Sequence, residues 1–378
     1  MILFVLFVFI VYGGVHAYAF IKARQAFALG WGAGAGIALF MALMVGAVFL
    51  IRTLERHEHE LTARALSYVA YLWMAGLFLF FCGSLVIDLL NLCSTAMGWT
   101  GWHAAGSFRV GPRISFLVSV VLSLSICVYG YFEAQNIRTE RIVIQTSKLP
   151  QGIDRLTIAQ ISDVHLGLII RCDRLVGILE AVKAARPDIL VSTGDLVDAQ
   201  INHLAGLREL LQDIRPRYGK FAVTGNHEYF AGLETSLEFT RESGFLMLRG
   251  ESKDIGVITL AGVDDRTAFQ VQGVRPVSDR RVLDTVDHKK FILFLKHQPT
   301  PDPDAVGLFD LMLSGHTHKG QIWPFTYLAR MSYPRIAGTY DLGKGSILAV
   351  SRGSGTWGPP IRFLAPPEIT IIELVRKG

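Results

Sequence analysis

Four long apolar runs dominate the first third of this 378-residue chain and constrain its fold more than any other feature. Each is long enough to cross the hydrocarbon core of a bilayer as a helix, which takes about 20 residues. The runs are Ile2–Ile21, Trp31–Ile51, Leu66–Leu92 and Ile114–Phe132, and charged residues stand between them. We therefore predict a transmembrane region of about four helices over residues 1–135.

The charged residues are unevenly distributed along the chain. Residues 1–149 contain 10 of the 37 lysines and arginines and 6 of the 32 acidic residues. Charged residues make up 18% of the chain, against about 25% in a typical soluble domain. We therefore expect a multi-pass integral protein of the cell membrane, with the lipid bilayer as a partner. The basic excess borders apolar runs instead of forming a soluble basic face, so we expect no nucleic-acid partner.

The positive residues beside the apolar runs predict the orientation of the chain. Cytoplasmic segments of membrane proteins carry an excess of Lys and Arg. With four spans, one side has Lys22, Arg24, Arg109 and Arg113, and the other has Arg52, Arg56, Arg64, Arg138, Arg141 and Lys148. This count of six to four weakly favours a cytoplasmic position for the C-terminal part, although the pair after the first run favours the opposite side.

The pattern changes near residue 150. We predict a linker and lead-in strand over residues 136–153, followed by a domain over residues 154–378 in which short apolar runs alternate with amphipathic stretches. The predicted strands are Leu156–Ser162, Asp188–Thr193, Lys220–Thr224, Phe291–Lys296 and Asp310–Ser314. The predicted helices are Arg171–Arg186, Leu204–Ile214 and Leu233–Ser243. This alternation indicates an α/β domain whose sheets are covered by helices.

Each of the five predicted strands is followed directly by polar residues that can bind a metal. Open α/β sheets bind ligands outside the carboxyl ends of their strands, so we expect these side chains to lie together. Carboxylates and imidazoles crowded in this way would stay unpaired without a cation. The candidate ligands are Asp163, His165, Asp195, Asn226, His297, His316 and His318.

The chemistry of these ligands predicts the kind of metal centre. Oxygen and imidazole ligands without a thiolate suit Mn²⁺, Fe or Zn²⁺ better than Ca²⁺ or a structural zinc. Seven ligands are too many for one tetrahedral ion, but they fit two divalent metal ions about 3.5–4 Å apart that share a carboxylate, as in enzymes that attack phosphate esters. Any one Gly-Asp or Gly-Asn pair is most simply a turn. Five ordered motifs at strand ends predict a metal centre instead.

The ordered motifs D-x-H, G-D-x-x-D, G-N-H-E, a lone His and G-H-x-H resemble those of the calcineurin-like metallophosphoesterases, and the similarity covers residues 154–378. The stretches 320–325 and 351–360 resemble the membrane-attached branch, called transmembrane protein with metallophosphoesterase domain. Lys319 departs from the pattern, because many relatives have Gly after the last His. The resemblance implies a two-layer β-sandwich flanked by helices.

The resemblance also implies a role for each motif residue. Asp163, His165 and His318 would hold one metal; Asn226, His297 and His316 would hold the other, with Asp195 bridging. A metal-activated water would attack the phosphorus, and His227 would act as the general acid or stabilise the transferred phosphoryl group. Asp198 would orient His227. Glu228, Asp264 and Asp265 are weaker candidates.

Two functions of different classes are compatible with the sequence. The first is a membrane-anchored phosphohydrolase, a hydrolase acting on the ester bonds of phosphomono- or phosphodiesters. The second is a membrane sensor or scaffold that keeps the same fold without catalysis. A degenerate member would have lost a ligand or the His227–Asp198 pair, and neither is missing. The sequence therefore favours the enzyme.

The segment after His318 suggests an amphiphilic or lipid-linked substrate. It combines Lys319 with the aromatic residues Trp323, Phe325 and Tyr327. Pro324 weakens the alternative of a core helix or central strand. Aromatic rings prefer the headgroup level of a bilayer, and basic side chains are attracted to lipid phosphates. We call these four residues the aromatic apron and expect them to lie beside the metal centre.

Overall fold

The structure, a computed structural model, describes residues 2–100, 108–198, 204 and 206–377, with side chains from residue 9 onward. Its contacts divide the chain into two units. One is Met1–Phe132 with Pro359–Ile361, and the other is Glu133–Gly358 with Arg362–Gly378.

The first unit contains the helices Ile2–Phe27, Trp31–Arg56, Glu60–Trp99 and Pro112–Glu133. Only the last three qualify as candidate membrane spans by length and composition among the described residues. The prediction of four spans is therefore wrong by one: the helix Ile2–Phe27 does not count among them, and the side chains of its first turns lie outside the described part. The three remaining helices still indicate a membrane protein.

The ionisable side chains within these helices have polar partners. His16 donates from Nδ1 to the Tyr12 carbonyl at 2.8 Å and accepts from the indole of Trp73 at 2.9 Å. Asp88 accepts hydrogen bonds from Tyr18 at 2.6 Å and from Lys22 at 2.5 Å. Such pairing offsets the cost of placing polar groups in an apolar helix bundle, so both groups act in helix packing.

The second unit is an α/β domain, as predicted, and it contains two sheets of six strands each. The strands are β1 Arg138–Thr146, β2 Arg155–Ile161, β3 Ile189–Ser192, β4 Lys220–Ala222, β5 Phe245–Met247, β6 Glu251–Asp254, β7 Thr259–Gly262, β8 Ile292–Leu295, β9 Leu311–Ser314, β10 Gly338–Gly343, β11 Ser346–Val350 and β12 Glu368–Arg376. The five predicted strands correspond to β2, β3, β4, β8 and β9.

The order of the strands brings the motif-bearing ends to common edges. The first sheet has the order β1-β12-β2-β3-β4-β5, and the second has β10-β11-β9-β8-β7-β6. Strands β2 to β5 are parallel to one another, as are β7, β8, β9 and β11. Parallel strands end at the same edge of a sheet, so the residues after β2, β3 and β4 meet, as do those after β8 and β9.

The main hydrophobic core draws alternate residues from both sheets. Ile158 and Val191 of the first sheet belong to one buried cluster with Leu293 and Leu313 of the second. A second cluster combines Phe294 and other residues of the second sheet with the short helix Asp279–Leu283. Buried runs on both faces explain why these strands read as continuous apolar segments.

The helices of this unit run close to the predicted segments. Cys172–Ala185, Leu207–Gln212 and Leu233–Glu242 take the places of the three predicted helices. The others are the short helices Asn226–Ala231, Thr267–Gln272, Asp279–Leu283 and Phe325–Ser332, with 3₁₀ turns at Pro303–Ala305 and His318–Gly320. The buried face of the helix Cys172–Ala185 consists of Leu175, Ile178, Leu179 and Val182. The apolar spacing of this segment predicted the same face.

Candidate metal centre

The structure brings the predicted ligands together. Asp163 and His165 follow β2, Asp195 follows β3, and His297 follows β8. Asn226 begins a short helix after β4, while His316 and His318 lie in the turn after β9. Asp163, His165, Asp195, His297 and His318 are each at most 6% exposed. Chain segments far apart in sequence therefore form one buried polar cluster.

One group of possible ligands consists of Asp163, His165 and His318. The Nε2 atoms of His165 and His318 are 3.0 Å apart, and His318 Nε2 lies 3.5 Å from Asp163 Oδ1. Asp195 Oδ2 lies 3.9 Å from His165 Nε2. The Asp163 carboxylate accepts hydrogen bonds from the backbone N–H of His316 and the hydroxyl of Ser162, which fix its position.

A second group consists of Asp195, His297 and His316. His297 Nε2 lies 3.2 Å from Asp195 Oδ2, 3.2 Å from Asn226 Oδ1 and 3.1 Å from His316 Nδ1. Asp195 belongs to this second group and lies beside His165 of the first, so its carboxylate is placed to bridge the two groups.

The hydrogen bonds around these histidines fit a metal centre. His297 Nδ1 donates to the Thr193 carbonyl at 2.8 Å, and its Nε2 faces three possible acceptor atoms. Burial disfavours charge on this ring, but the carboxylate of Asp195 outweighs burial and raises the pKa of His297 well above its usual range. His165 Nδ1 is buried without a hydrogen-bond partner. Acceptors that face one another need a cation or an added proton between them. The donor set of carboxylate, amide oxygen and imidazole is one that divalent metal ions bind.

Burial controls the charge of most of these imidazoles. It lowers the pKa of His165 to about 4, and together with the charge of His297 it lowers that of His316 to about 3. Burial and then the charge of Arg362 lower the pKa of His318 well below its usual range. Neutral imidazoles are the form that binds metals.

The backbone is strained at several of the candidate ligands. Five of the seven candidate ligands have φ between 47° and 70°: Asp163, His165, Asp195, His316 and His318. Strained residues of this kind cluster at functional sites. Glycines allow the close approach: a Cβ at Gly225 would lie 2.2 Å from Asp195 Oδ1, and one at Gly315 would lie 2.2 Å from Asp163 Oδ2.

His227 and Asp198 form the pair that the resemblance implied. His227 Nδ1 lies 2.9 Å from Asp198 Oδ1. Burial disfavours the charged ring, but the carboxylates of Asp195 and Asp198 outweigh it and raise the pKa of His227 to about 9. His227 also belongs to a third possible ligand group, with His165 and Asp195. Its geometry therefore leaves two roles, ligand or proton donor, which a mutation can separate.

The weaker candidates organise the loops around the ligands. Glu228 accepts hydrogen bonds from the backbone N–H groups of Asp195, Leu196 and Gly225 at 2.6–3.1 Å. Asp264 pairs with Arg249, and Asp265 accepts from Gln298. None of these three carboxylates belongs to the possible ligand groups among the described residues.

Two residues that support the histidines carry no signal in the sequence. The Tyr333 hydroxyl lies 2.9 Å from His316 Nε2 and donates to Gln298 at 3.0 Å. Arg362 Nη2 lies 3.0 Å from His318 Nδ1. Neither residue stands in a motif, and they reach the site from positions 17 and 44 residues after the histidines they contact.

Arg362 is fully buried, and its guanidinium group is surrounded by backbone carbonyl groups. Its guanidinium donates to the carbonyls of Arg352, Gly353, Gly355, His318 and Ala365 at 2.5–3.3 Å. Burial lowers its pKa to about 9. The side chain thus ties the loop after β11 to the turn that carries His318.

Replacing Arg362 by Met should strongly destabilise the domain. Five buried carbonyls would lose a donor, and each unsatisfied group costs about 1–3 kcal/mol, so we expect a loss of at least about 3 kcal/mol. For a domain of this size that lowers the melting temperature by about 6–12 °C. Thermal unfolding of the purified protein measures it, with the exposed Arg155→Met as control. Equal melting temperatures for the two variants would contradict this role.

The apron residues lie on and before the helix Phe325–Ser332, which has no buried residue. Trp323 and Phe325 are each 42% exposed, and Tyr327 is 59% exposed. Lys319 is half-buried and directly follows His318, and its carbonyl accepts from Thr326 at 3.0 Å. The aromatic side chains are therefore outside the hydrophobic core.

Comparison with known proteins places this geometry in a family. The model of the calcineurin-like phosphoesterases matches residues 156–320. An uncharacterized metallophosphoesterase of Aquifex aeolicus is 41% identical over 253 residues, covering 66% of this chain and 96% of that protein. One from Campylobacter jejuni is 31% identical over 343 residues, covering 90% and 88%.

A transmembrane protein with metallophosphoesterase domain from Danio rerio is 30% identical over 354 residues, which cover 89% of this chain and 79% of that protein. The matched family segment begins in β2 and ends just after His318, so it contains all seven candidate ligands. The match to the family model and the similarity over most of the length of these relatives show that the chain belongs to the calcineurin-like phosphoesterase family.

Proposed function

We propose that the protein is a membrane-anchored phosphohydrolase that uses two divalent metal ions to cleave phosphomono- or phosphodiesters. The observation that carries this proposal is the convergence of all seven predicted ligands, with Asp195 in the group of His297 and His316 and 3.9 Å from His165 of the other group. Asp163, His165, His318 and Asp195 would hold one ion. Asn226, His297, His316 and Asp195 would hold the other. Mn²⁺, Fe and Zn²⁺ are the candidate metals.

The bound cations would supply an activated water and neutralise charge on the phosphoryl group. The protein's own residues supply the remaining chemistry. Asp198 accepts from His227 Nδ1, which leaves Nε2 to carry the proton that the leaving-group oxygen needs. The P–O bond to the leaving group breaks as the bond from water to phosphorus forms. General acid catalysis of this kind contributes roughly 10²–10⁴-fold to the rate.

A screen of the purified full-length protein tests the proposal. Protein stripped with a chelator should be inactive, and loading with Mn²⁺, Zn²⁺ or Fe should restore hydrolysis of at least one class in a panel of lipid and soluble phosphoesters. Stoichiometric metal binding without hydrolysis of any class would instead favour a non-catalytic sensor or scaffold.

The exposed apron supports a membrane-borne substrate. The last apolar helix ends at Glu133 and β1 begins at Arg138, so the connection between the two units is short. Burial and the charges of Arg352 and Arg330 lower the pKa of Lys319, which shows that several basic groups share this region. Exposed aromatic rings and basic side chains together suit a phosphoester embedded among lipid headgroups.

We therefore expect the protein to prefer one phosphoester headgroup in mixed micelles over the same headgroup on a short-chain monomer. The double variant Trp323→Ala/Phe325→Ala should reduce that preference by roughly 10-fold or more, because two large apolar side chains no longer enter the lipid surface. Steady-state rates for both forms measure it, and Phe269→Ala is the control, because Phe269 is also about half-exposed. Equal slowing of both forms would contradict a membrane role for the apron.

We propose a cytoplasmic position for the catalytic domain, in the cell membrane. A cysteine introduced at exposed Gln272, with Cys93 and Cys172 replaced by Ser, should react with a membrane-impermeant maleimide only after cells are broken. The positive residues near the apolar helices support this side. Labelling in intact cells would place the domain on the opposite face.

A further inference from the structure

Two exposed aromatic side chains pack beside the ring of His227. Phe230 and Trp357 have ring centroids 5.7 Å and 6.3 Å from that of His227, and both meet it edge to face. Phe230 is 51% exposed and Trp357 is 54% exposed, although His227 itself is only 8% exposed. Large apolar rings half-open to solvent at a buried polar site are a feature of ligand sites.

Both rings are held in place by the framework of the site. Phe230 lies one turn after His227 on the helix Asn226–Ala231, so the two side chains share a face. Trp357 is fixed by the Gln321 side chain, which donates to its carbonyl at 2.9 Å and accepts from its N–H at 2.8 Å. Gln321 is 7% exposed and stands three residues after His318. The exposure of Trp357 therefore does not reflect an unanchored loop.

The position of the rings assigns them to one part of the substrate. Because Asp198 occupies Nδ1 of His227, a proton can pass to the leaving group only from Nε2. The leaving-group oxygen must then come within about 3 Å of Nε2. The carbon atoms attached to that oxygen would enter the space beside the two rings. We propose that Phe230 and Trp357 form a clamp that binds the apolar body of the leaving alcohol.

This inference rests on the proposed function and narrows its substrate class. The preferred phosphoester has a leaving alcohol with an aromatic ring or hydrocarbon skeleton close to the ester oxygen. Hydrolysis breaks the P–O bond to that alcohol, forms a P–O bond from water and transfers the His227 proton to the alcohol oxygen. The clamp differs from the apron, because it contacts the leaving group itself and acts on a fully soluble substrate.

Two soluble substrates whose leaving alcohols differ by a phenyl group test the clamp. The Mn²⁺-loaded full-length protein is given ethyl and 2-phenylethyl phosphate, as monoesters and as methyl diesters. We expect kcat/KM to favour the phenylethyl ester by about 10-fold or more. Phe230→Ala and Trp357→Ala should bring the ratio close to one while retaining bound metal. Leu246→Ala, an exposed apolar residue on β5, should leave the ratio unchanged.

A binding measurement separates a failed clamp from a failed enzyme. Inhibition by 2-phenylethylphosphonate should exceed inhibition by ethylphosphonate in the wild type and not in the two clamp variants, while Phe230→Leu should keep part of the difference. If the wild type hydrolyses both esters equally, or the variants keep the full ratio, the clamp is wrong and the hydrolase stands. If the metal-loaded protein hydrolyses no phosphoester, the proposed function itself is wrong.

Discussion

Asp195→Asn should abolish phosphoester hydrolysis and lower the amount of bound metal. Asp195 Oδ2 lies 3.2 Å from His297 Nε2 and 3.9 Å from His165 Nε2, so one carboxylate serves both ligand groups. Asparagine keeps the shape but removes the negative charge that two cations would share. The other oxygen of Asp195, Oδ1, accepts a hydrogen bond from the backbone N–H of His227 at 2.8 Å. The amide oxygen of asparagine can accept the same bond, so the loop geometry would survive in the variant.

Metal content by plasma mass spectrometry and hydrolysis rates measure this prediction. A matched control is Asp264→Asn, because Asp264 pairs with Arg249 outside the possible ligand groups. That variant should keep its metal. Full metal occupancy in Asp195→Asn would contradict a bridging role and leave the two ions with separate ligand sets.

His227→Ala should keep the metal and slow hydrolysis by roughly 10²–10⁴-fold, the contribution of one general acid. The reason is that His227 Nδ1 is hydrogen-bonded to Asp198, while the seven candidate metal ligands stay in place. Asp198→Asn should cause part of the same loss, because the amide orients the ring without its charge. Rates at saturating metal and metal content are measured for each variant.

The alternative role for His227 is that of a metal ligand, because it lies within ligand range of His165 and Asp195. If His227→Ala loses metal as completely as Asp195→Asn, the residue is a ligand and the proton donor must be sought elsewhere. His227→Ala should slow the hydrolysis of substrates with good leaving groups less than that of alkyl esters, because a good leaving group departs without protonation.

The four apolar runs correctly predicted four helices in the first unit. They did not predict where each helix begins and ends, or how many of the helices qualify as membrane spans. The run Leu66–Leu92 lies within a helix that extends over Glu60–Trp99. Apolar composition reports where a chain prefers lipid, whereas backbone hydrogen bonding continues through neighbouring polar residues. Three described helices qualify as spans instead of four.

The candidate ligands could be predicted because their geometry follows from strand order. Each motif follows a short apolar run, and parallel strands end at one edge, so a local pattern was enough to bring Asp163 towards Asp195. The same logic placed Asn226 directly after a predicted strand, whereas the helix that begins at Asn226 appears only in the structure. No comparable rule exists for a side chain that reaches the site from a loop.

The sequence by itself determined the apolar helices, the α/β class of the second unit, and the identity and order of the candidate metal-binding motifs, because each is encoded in local periodicity or in residues next to strand ends. Only the tertiary structure revealed Arg362 behind His318, Tyr333 beside His316, and the rings of Phe230 and Trp357 around His227. These contacts join segments whose separation in sequence carries no periodic signal. Their positions depend on how two sheets and their loops pack, which is a property of the whole folded chain.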